Sequence, residues 1–156
     1  MQWRRSVWAV AAAAALGCGG SSTGPGGNNG LANDPLSAVI NGVQWGSPVP
    51  SASYSNQILS VAGTDLGITW TIVFGVRTQA AGTFPFGIVN PGVATATLTS
   101  GGKSWTTSAQ GASGTLTITT LTSNRVAGTF NLTAVPSGAG ATGNVTVTNG
   151  KFDVSF

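Results

Sequence analysis

The chain has 156 residues, with six Lys or Arg, three Asp, no Glu, no His, a single Cys and a formal net charge of +3. Charged side chains make up only 6% of it, and Arg4 and Arg5 supply two of the six cations, so the rest is nearly neutral and offers no basic patch for nucleic acid. Without His or a second Cys there is no Ser-His-Asp or Cys-His constellation, no His/Cys zinc site and no internal disulfide, and no metal or cofactor is implied.

The N-terminus is ordered as a leader. Arg4-Arg5 precedes an apolar run from Val7 to Leu16, followed by Gly17 and Cys18. A run of about ten residues matches a signal-peptide core of about 7–15 and falls short of the roughly 20 needed to span a bilayer. Ala15-Leu16-Gly17-Cys18 resembles the lipobox of bacterial lipoproteins, with Leu one place nearer the cysteine than usual. The expectation is a cleaved signal peptide over 1–17 and a lipidated Cys18 that holds the chain at a membrane, because two or more acyl chains anchor stably where one does not. Gly19 carries no acidic retention signal, which points to the outer membrane of a bacterial cell envelope. Residues 18–35, rich in Gly, Ser and Asn, form a flexible tether with a reach of about 20 Å.

An all-β domain is expected over 36–156. Asn41-Gly42 between two apolar arms predicts a type I′ hairpin that sets Ile40 opposite Val43 and Ala38 opposite Trp45. Residues 46–56 read as a loop. A short strand follows over 58–62 with Leu59 and Val61 inward, then a turn at Gly63-Thr64-Asp65-Leu66-Gly67. Ile68, Trp70, Ile72, Phe74 and Val76 alternate with smaller or polar residues, which predicts one strand with all five on the buried face. Phe84 and Phe86 flank Pro85, marking a short edge strand. Gly101-Gly102 predicts a second hairpin, with Leu98 opposite Trp105.

Leu116 and Ile118 belong to the next strand. Beyond a turn near Ser123-Asn124, Val126, Phe130, Leu132 and Ala134 mark another, and residues 138–143 form a glycine-rich loop. The chain ends in a predicted hairpin at Asn149-Gly150 that pairs Val147 with Phe152 and Val145 with Val154 on one face. Together these give an antiparallel meander of about nine or ten short strands, closed either as a β-sandwich or as a small β-barrel.

The Ile40-Asn41-Gly42-x-x-Trp45 box, the Gly63-Thr64-Asp65 turn, the strand from Arg125 to Phe130 and the closing segment from Thr148 to Val154 resemble a family of small bacterial lipoproteins of unknown function. The resemblance implies the fold and the anchoring. It implies no activity, substrate or catalytic residue.

The acidic residues Asp34, Asp65 and Asp153 fall by the tether, in a turn and on an outward face, so no carboxylate pair forms and no enzyme is expected. Trp45 and Trp70 read as core. Trp105 is open to two placements: Leu98 draws it inward, while Lys103 and Thr107 on its own strand fit an exposed ring. If a ligand is bound, the contact residues are Trp105, Lys103 and Tyr54, with a glycan, a small apolar ligand or an envelope protein as partner. The function expected is a non-catalytic binding domain on a membrane-anchored lipoprotein. The alternative is a structural or accessory component of an envelope complex.

Overall fold

The computed structural model describes residues 31–88 and 90–156. The leader, Cys18 and most of the tether lie outside the described residues. After a single 3-10 turn at Leu31–Asn33 come eleven strands: β1 (Leu36–Ile40), β2 (Val43–Ser47), β3 (Ser51–Ser55), β4 (Ile58–Thr64), β5 (Thr71–Arg77), β6 (Gly82–Pro85), β7 (Thr95–Ser100), β8 (Lys103–Thr106), β9 (Ser113–Leu121), β10 (Arg125–Pro136) and β11 (Val145–Ser155). All strand pairs are antiparallel, and the order along the main path is β2-β1-β11-β10-β8-β7-β5-β4-β3.

β10 is the strand on which the sheet bends. One of its edges pairs with β11 from Arg125 to Ala134. The other pairs with β9 from Val126 to Thr133 and then, at Val135 and Pro136, with β8. This change of partner turns the β8-β7-β5-β4-β3 limb over the β10-β11-β1 limb, so the sheet curls into a half-barrel. Phe74 of β5 meets Phe130 of β10 at 4.9 Å and Phe152 of β11 at 5.2 Å between ring centroids. Leu36, Leu59, Ile72, Leu98, Leu116 and Val126 are fully buried around them. The architecture is thus one curled sheet with a side-chain core, rather than two separate sheets or a closed barrel.

Local sequence chemistry sets several of these pairings as expected. Asn41 and Gly42 have φ of 49° and 83°, and the β1–β2 register pairs Ile40 with Val43 and Ala38 with Trp45. The Gly101-Gly102 turn pairs Leu98 with Trp105. Leu59 and Val61 are buried, and β6, which contains Pro85, pairs with β9 alone. The pairing is not a continuous meander, however. β5 skips β6 to pair with β7, and β1 reaches across the chain to β11.

Three expectations need correction. Residues 51–55 are not loop but the edge strand β3, joined to β4 through Asn56 and Gln57 at φ 51° and 66°. Ser-Ala-Ser-Tyr-Ser has little hydrophobic contrast, so its period of two is nearly silent in the sequence. The strand expected from Ile68 begins at Thr71, and Ile68 lies in the preceding turn, 78% exposed.

The third correction is the largest. Asn149-Gly150 is not a hairpin turn but lies inside the continuous strand β11. Val145 and Val147 occupy odd positions and Phe152 and Val154 even ones, so an unbroken alternation would send the two pairs to opposite faces. A hairpin resets that parity, and so does a single extra residue. The extra residue is what the structure contains. Against β10 the register steps from Phe130↔Gly150 to Leu132↔Val147, and against β1 from Ser37↔Lys151 to Val39↔Thr148. Asn149, at φ 53°, carries this bulge. The bulged strand pairs on both edges, satisfying more backbone groups than a hairpin folded on itself.

Gly150 sits where the bulge presses against β10. A Cβ there would fall on the Phe130 carbonyl oxygen and 2.6 Å from the Phe130 ring. Gly150→Ala is therefore expected to destabilise the fold by about 1–3 kcal/mol through overpacking. The shift in urea midpoint measures this, and an unchanged midpoint would show that the bulge has room to relax.

Candidate functional site

The three tryptophans among the described residues form a chain at one end of the curl. Trp45, on the inward side of β2, is 3% exposed, and its indole N–H donates to the Trp70 carbonyl at 3.2 Å. Trp70, just before β5, is half-buried and packs its ring on Trp105 with centroids 5.3 Å apart. Trp105 is 6% exposed, and its N–H donates to the Gly143 carbonyl at 2.9 Å. Trp70, expected in the core, is only half-buried and packs against the core's edge, while Trp105, open to two placements in the sequence, takes the inward one and not the exposed one a contact residue needs. Its cross-strand partner Leu98 and the acceptor at Gly143 give the ring and the N–H of Trp105 a buried place.

Trp70 is held by a loop that Asp65 organises. The Asp65 Oδ1 accepts from the backbone N–H of Thr69 at 2.8 Å and of Trp70 at 3.0 Å, and Oδ2 accepts from the Thr69 hydroxyl. The Ile68 N–H donates to the Asp65 carbonyl at 2.9 Å. Desolvation pulls the Asp65 carboxyl upward, but the hydrogen bonds from Thr69 and Trp70 outweigh it and hold the group below its ordinary value. The loop that results projects Leu66, 84% exposed, and Ile68 away from the core.

Between this loop and the β1–β2 hairpin lies a groove of about 560 Å³ lined by Ile40, Val43, Trp45, Asp65, Leu66 and Trp70, among others. Gln44, also in the lining, donates its amide to the carbonyls of Ala38 and Trp45. The Gln44 amide N–H and the Asp65 carboxylate are therefore already engaged, and what the groove offers a ligand is mainly apolar and aromatic surface. A second groove of about 490 Å³ lies on the outer face of β4, β5 and β7, where Ile58, Val73 and Arg77 contribute to the lining.

The sequence-predicted contact residues are not brought together. Lys103 is exposed beside the Gly101-Gly102 turn, and Tyr54 lies on the edge strand β3 with its hydroxyl donating to the Thr78 carbonyl at 3.0 Å. Among the described residues, neither groove is lined by Trp105, Lys103 or Tyr54. Cys18 lies outside the described residues. Asp153 faces outward in an ion pair with Arg125, which lowers its pKa, and no three His, Cys, Asp or Glu side chains gather among the described residues. Of the groove residues, Leu66 takes only a place in a turn from the sequence and Val43 only a place in the first hairpin; with Ile68, which lies beside the groove and not in its lining, they are large aliphatic side chains in or beside turns.

Two measurements test this arrangement. In the protein without its leader, Trp105 left alone by Trp45→Phe and Trp70→Phe is expected to emit at short wavelength and resist acrylamide. Trp70 left alone should be quenched, and the opposite ranking would place Trp105 outside. For Asp65 the folded-state pKa is depressed, so its stabilising effect is fully present above the ordinary carboxylate value of about 4 and is lost as pH falls through the lower folded value. Tm should therefore decline less steeply with acid in Asp65→Asn than in the unmodified protein. Parallel curves would show that the carboxylate does not stabilise the loop.

Neither a curated protein nor a solved structure matches the chain significantly. One family does, over residues 33–154, which takes in all but the outermost residues of the curled sheet. The chain belongs to that family, described as Domain of unknown function (DUF6252).

Proposed function

We propose that this protein is a bacterial lipoprotein, held at the outer membrane of the cell envelope by a lipidated Cys18, whose folded domain binds a partner without catalysis. The observation that carries the binding reading is the groove beside Trp70. It joins a half-buried aromatic ring to exposed aliphatic side chains, and its Asp65 carboxylate and Gln44 amide N–H already have partners. Such a surface favours contact through apolar burial. The anchoring reading is supported by the leader from Arg4 to Cys18, whose apolar run is too short to span a bilayer.

The two parts are tested separately. Cys18→Ser is expected to abolish labelling by a palmitate analogue, and retained labelling would overturn the anchor. For binding, Val43→Asp places a charge in the groove at a side chain 63% exposed, where the fold tolerates it. Protein extracted from membranes should lose its co-purifying partner in this variant with Tm unchanged. Equal recovery would remove the groove from consideration.

A further inference from the structure

We propose that the Asp65–Trp70 loop, with Val43 on the adjoining hairpin, is an apolar tip that enters the headgroup–acyl boundary of a phospholipid bilayer. The first observation is a conflict between backbone and side chain at Ile68. Five non-glycine residues have positive φ among the described residues: Asn41, Asn56, Gln57, Ile68 and Asn149. Four are polar amides, the kind of residue such turns favour. The fifth, at φ 51°, is β-branched, which is a genuine outlier at that conformation. Nothing in the core requires an aliphatic side chain there, since Ile68 is 78% exposed. Asn would suit both the conformation and the solvent. Strain retained at an exposed position points to a use outside the folded core.

The second observation is that this side chain is not alone. Leu66, 84% exposed, and Val43, 63% exposed, lie at the same end of the molecule, next to the half-buried Trp70. The loop is held in shape by the hydrogen bonds to Asp65, so these aliphatic groups are presented without further ordering. Aliphatic side chains projecting beyond a tryptophan match the layering of a membrane interface, with acyl chains below and aromatic rings at headgroup level.

Charge and chain length fit the same occupant. Register places Lys103 at this end, because Thr71 pairs with Thr99 and Ser100 pairs with Lys103. Lys103 is exposed and makes no salt bridge among the described residues, so its ammonium is free to meet lipid phosphate. The chain enters at the Leu36 end of β1, and the tip lies at the Ile40 end, about 13 Å away along a five-residue strand. The Gly-, Ser- and Asn-rich sequence from Cys18 to Pro35, read as a tether, would reach about 20 Å, enough for the tip to turn back to the bilayer that holds the anchor. Local concentration at that bilayer rests on the proposed lipidation of Cys18, whereas the insertion itself does not.

The test uses the full protein carrying Leu66→Cys, labelled with the polarity-sensitive fluorophore NBD and reconstituted into phosphatidylcholine–phosphatidylglycerol vesicles. Blue-shifted emission is expected, with quenching by acyl-chain-brominated lipid and iodide quenching several-fold weaker than for the same label at Ile58→Cys on the outer sheet face. Adding Ile68→Asn should return the emission toward that of water while leaving Tm unchanged or higher. That pairing separates a membrane role from a structural one. Solvent-like emission in the reconstituted protein would overturn the proposal, as would shielding that disappears when the protein is diluted among more vesicles, the mark of self-association. An acylated Cys18 leaves one label per chain. Two labels would show a free thiol and overturn the anchor alone, since labelled protein added directly to the same vesicles still reports insertion.

Discussion

The interior of this protein depends on one constraint in β11. The strand must deliver two apolar pairs of opposite parity, Val145 with Val147 and Phe152 with Val154, to the same face. The bulge at Asn149 achieves this, and Gly150 lets β11 lie against the Phe130 backbone where the two strands come closest. With the parity reset, Phe152 joins Phe74 and Phe130 in a cluster that ties the two limbs of the sheet together. β11 also carries β1 on its other edge, so its register sets the position of the Asn41-Gly42 turn. Asn41 is in turn fixed to β11 by its own N–H, which donates to the Thr146 carbonyl, and by its side-chain oxygen, which accepts the Thr146 N–H at 2.9 Å.

That chain of contacts leads to the end of the curl that carries the candidate groove. The hairpin positioned by β11 brings Trp45 under the Trp70 carbonyl, and Trp70 rests on Trp105. Each tryptophan thereby finds a partner for its ring or its N–H. Trp70 is the one left at the surface, because its backbone is committed to the Asp65 loop instead of to the interior of β5. The groove is therefore a by-product of how the sheet ends. The loop carries Leu66 in the groove lining and Ile68 beside it, the latter at a positive φ that a polar side chain would suit better.

The low charge of the chain has a structural counterpart. Asp65 takes hydrogen bonds from its own loop, and Asp153 pairs with Arg125 on an exposed face. An exposed pair of this kind contributes little to stability, so the fold rests on apolar burial and on strand pairing. The outer face is largely Thr and Ser, with hydroxyl contacts across strands such as Thr83 with Thr117 and Thr64 with Thr71. These residues suit a pleated, half-exposed surface without the charges that most surfaces use.

The sequence by itself determined the all-β class, the alternation that marks inward residues, and the two tight hairpins at Asn41-Gly42 and Gly101-Gly102. All of these follow from interactions between near neighbours in the chain. Tertiary structure alone decided whether Asn149-Gly150 turned or bulged, because both solutions reset parity equally and only the availability of β1 and β10 on either edge separates them. It also decided which tryptophan was buried. Trp70 keeps the period of its strand in sequence, but the Asp65 carboxylate captures the N–H groups of Thr69 and Trp70, and the strand starts only at Thr71. Trp105 goes inward because an acceptor waits 38 positions away at Gly143. Periodicity reports which face a side chain prefers. It does not report which distant backbone groups compete for the residue, and those groups placed Trp70 and Trp105.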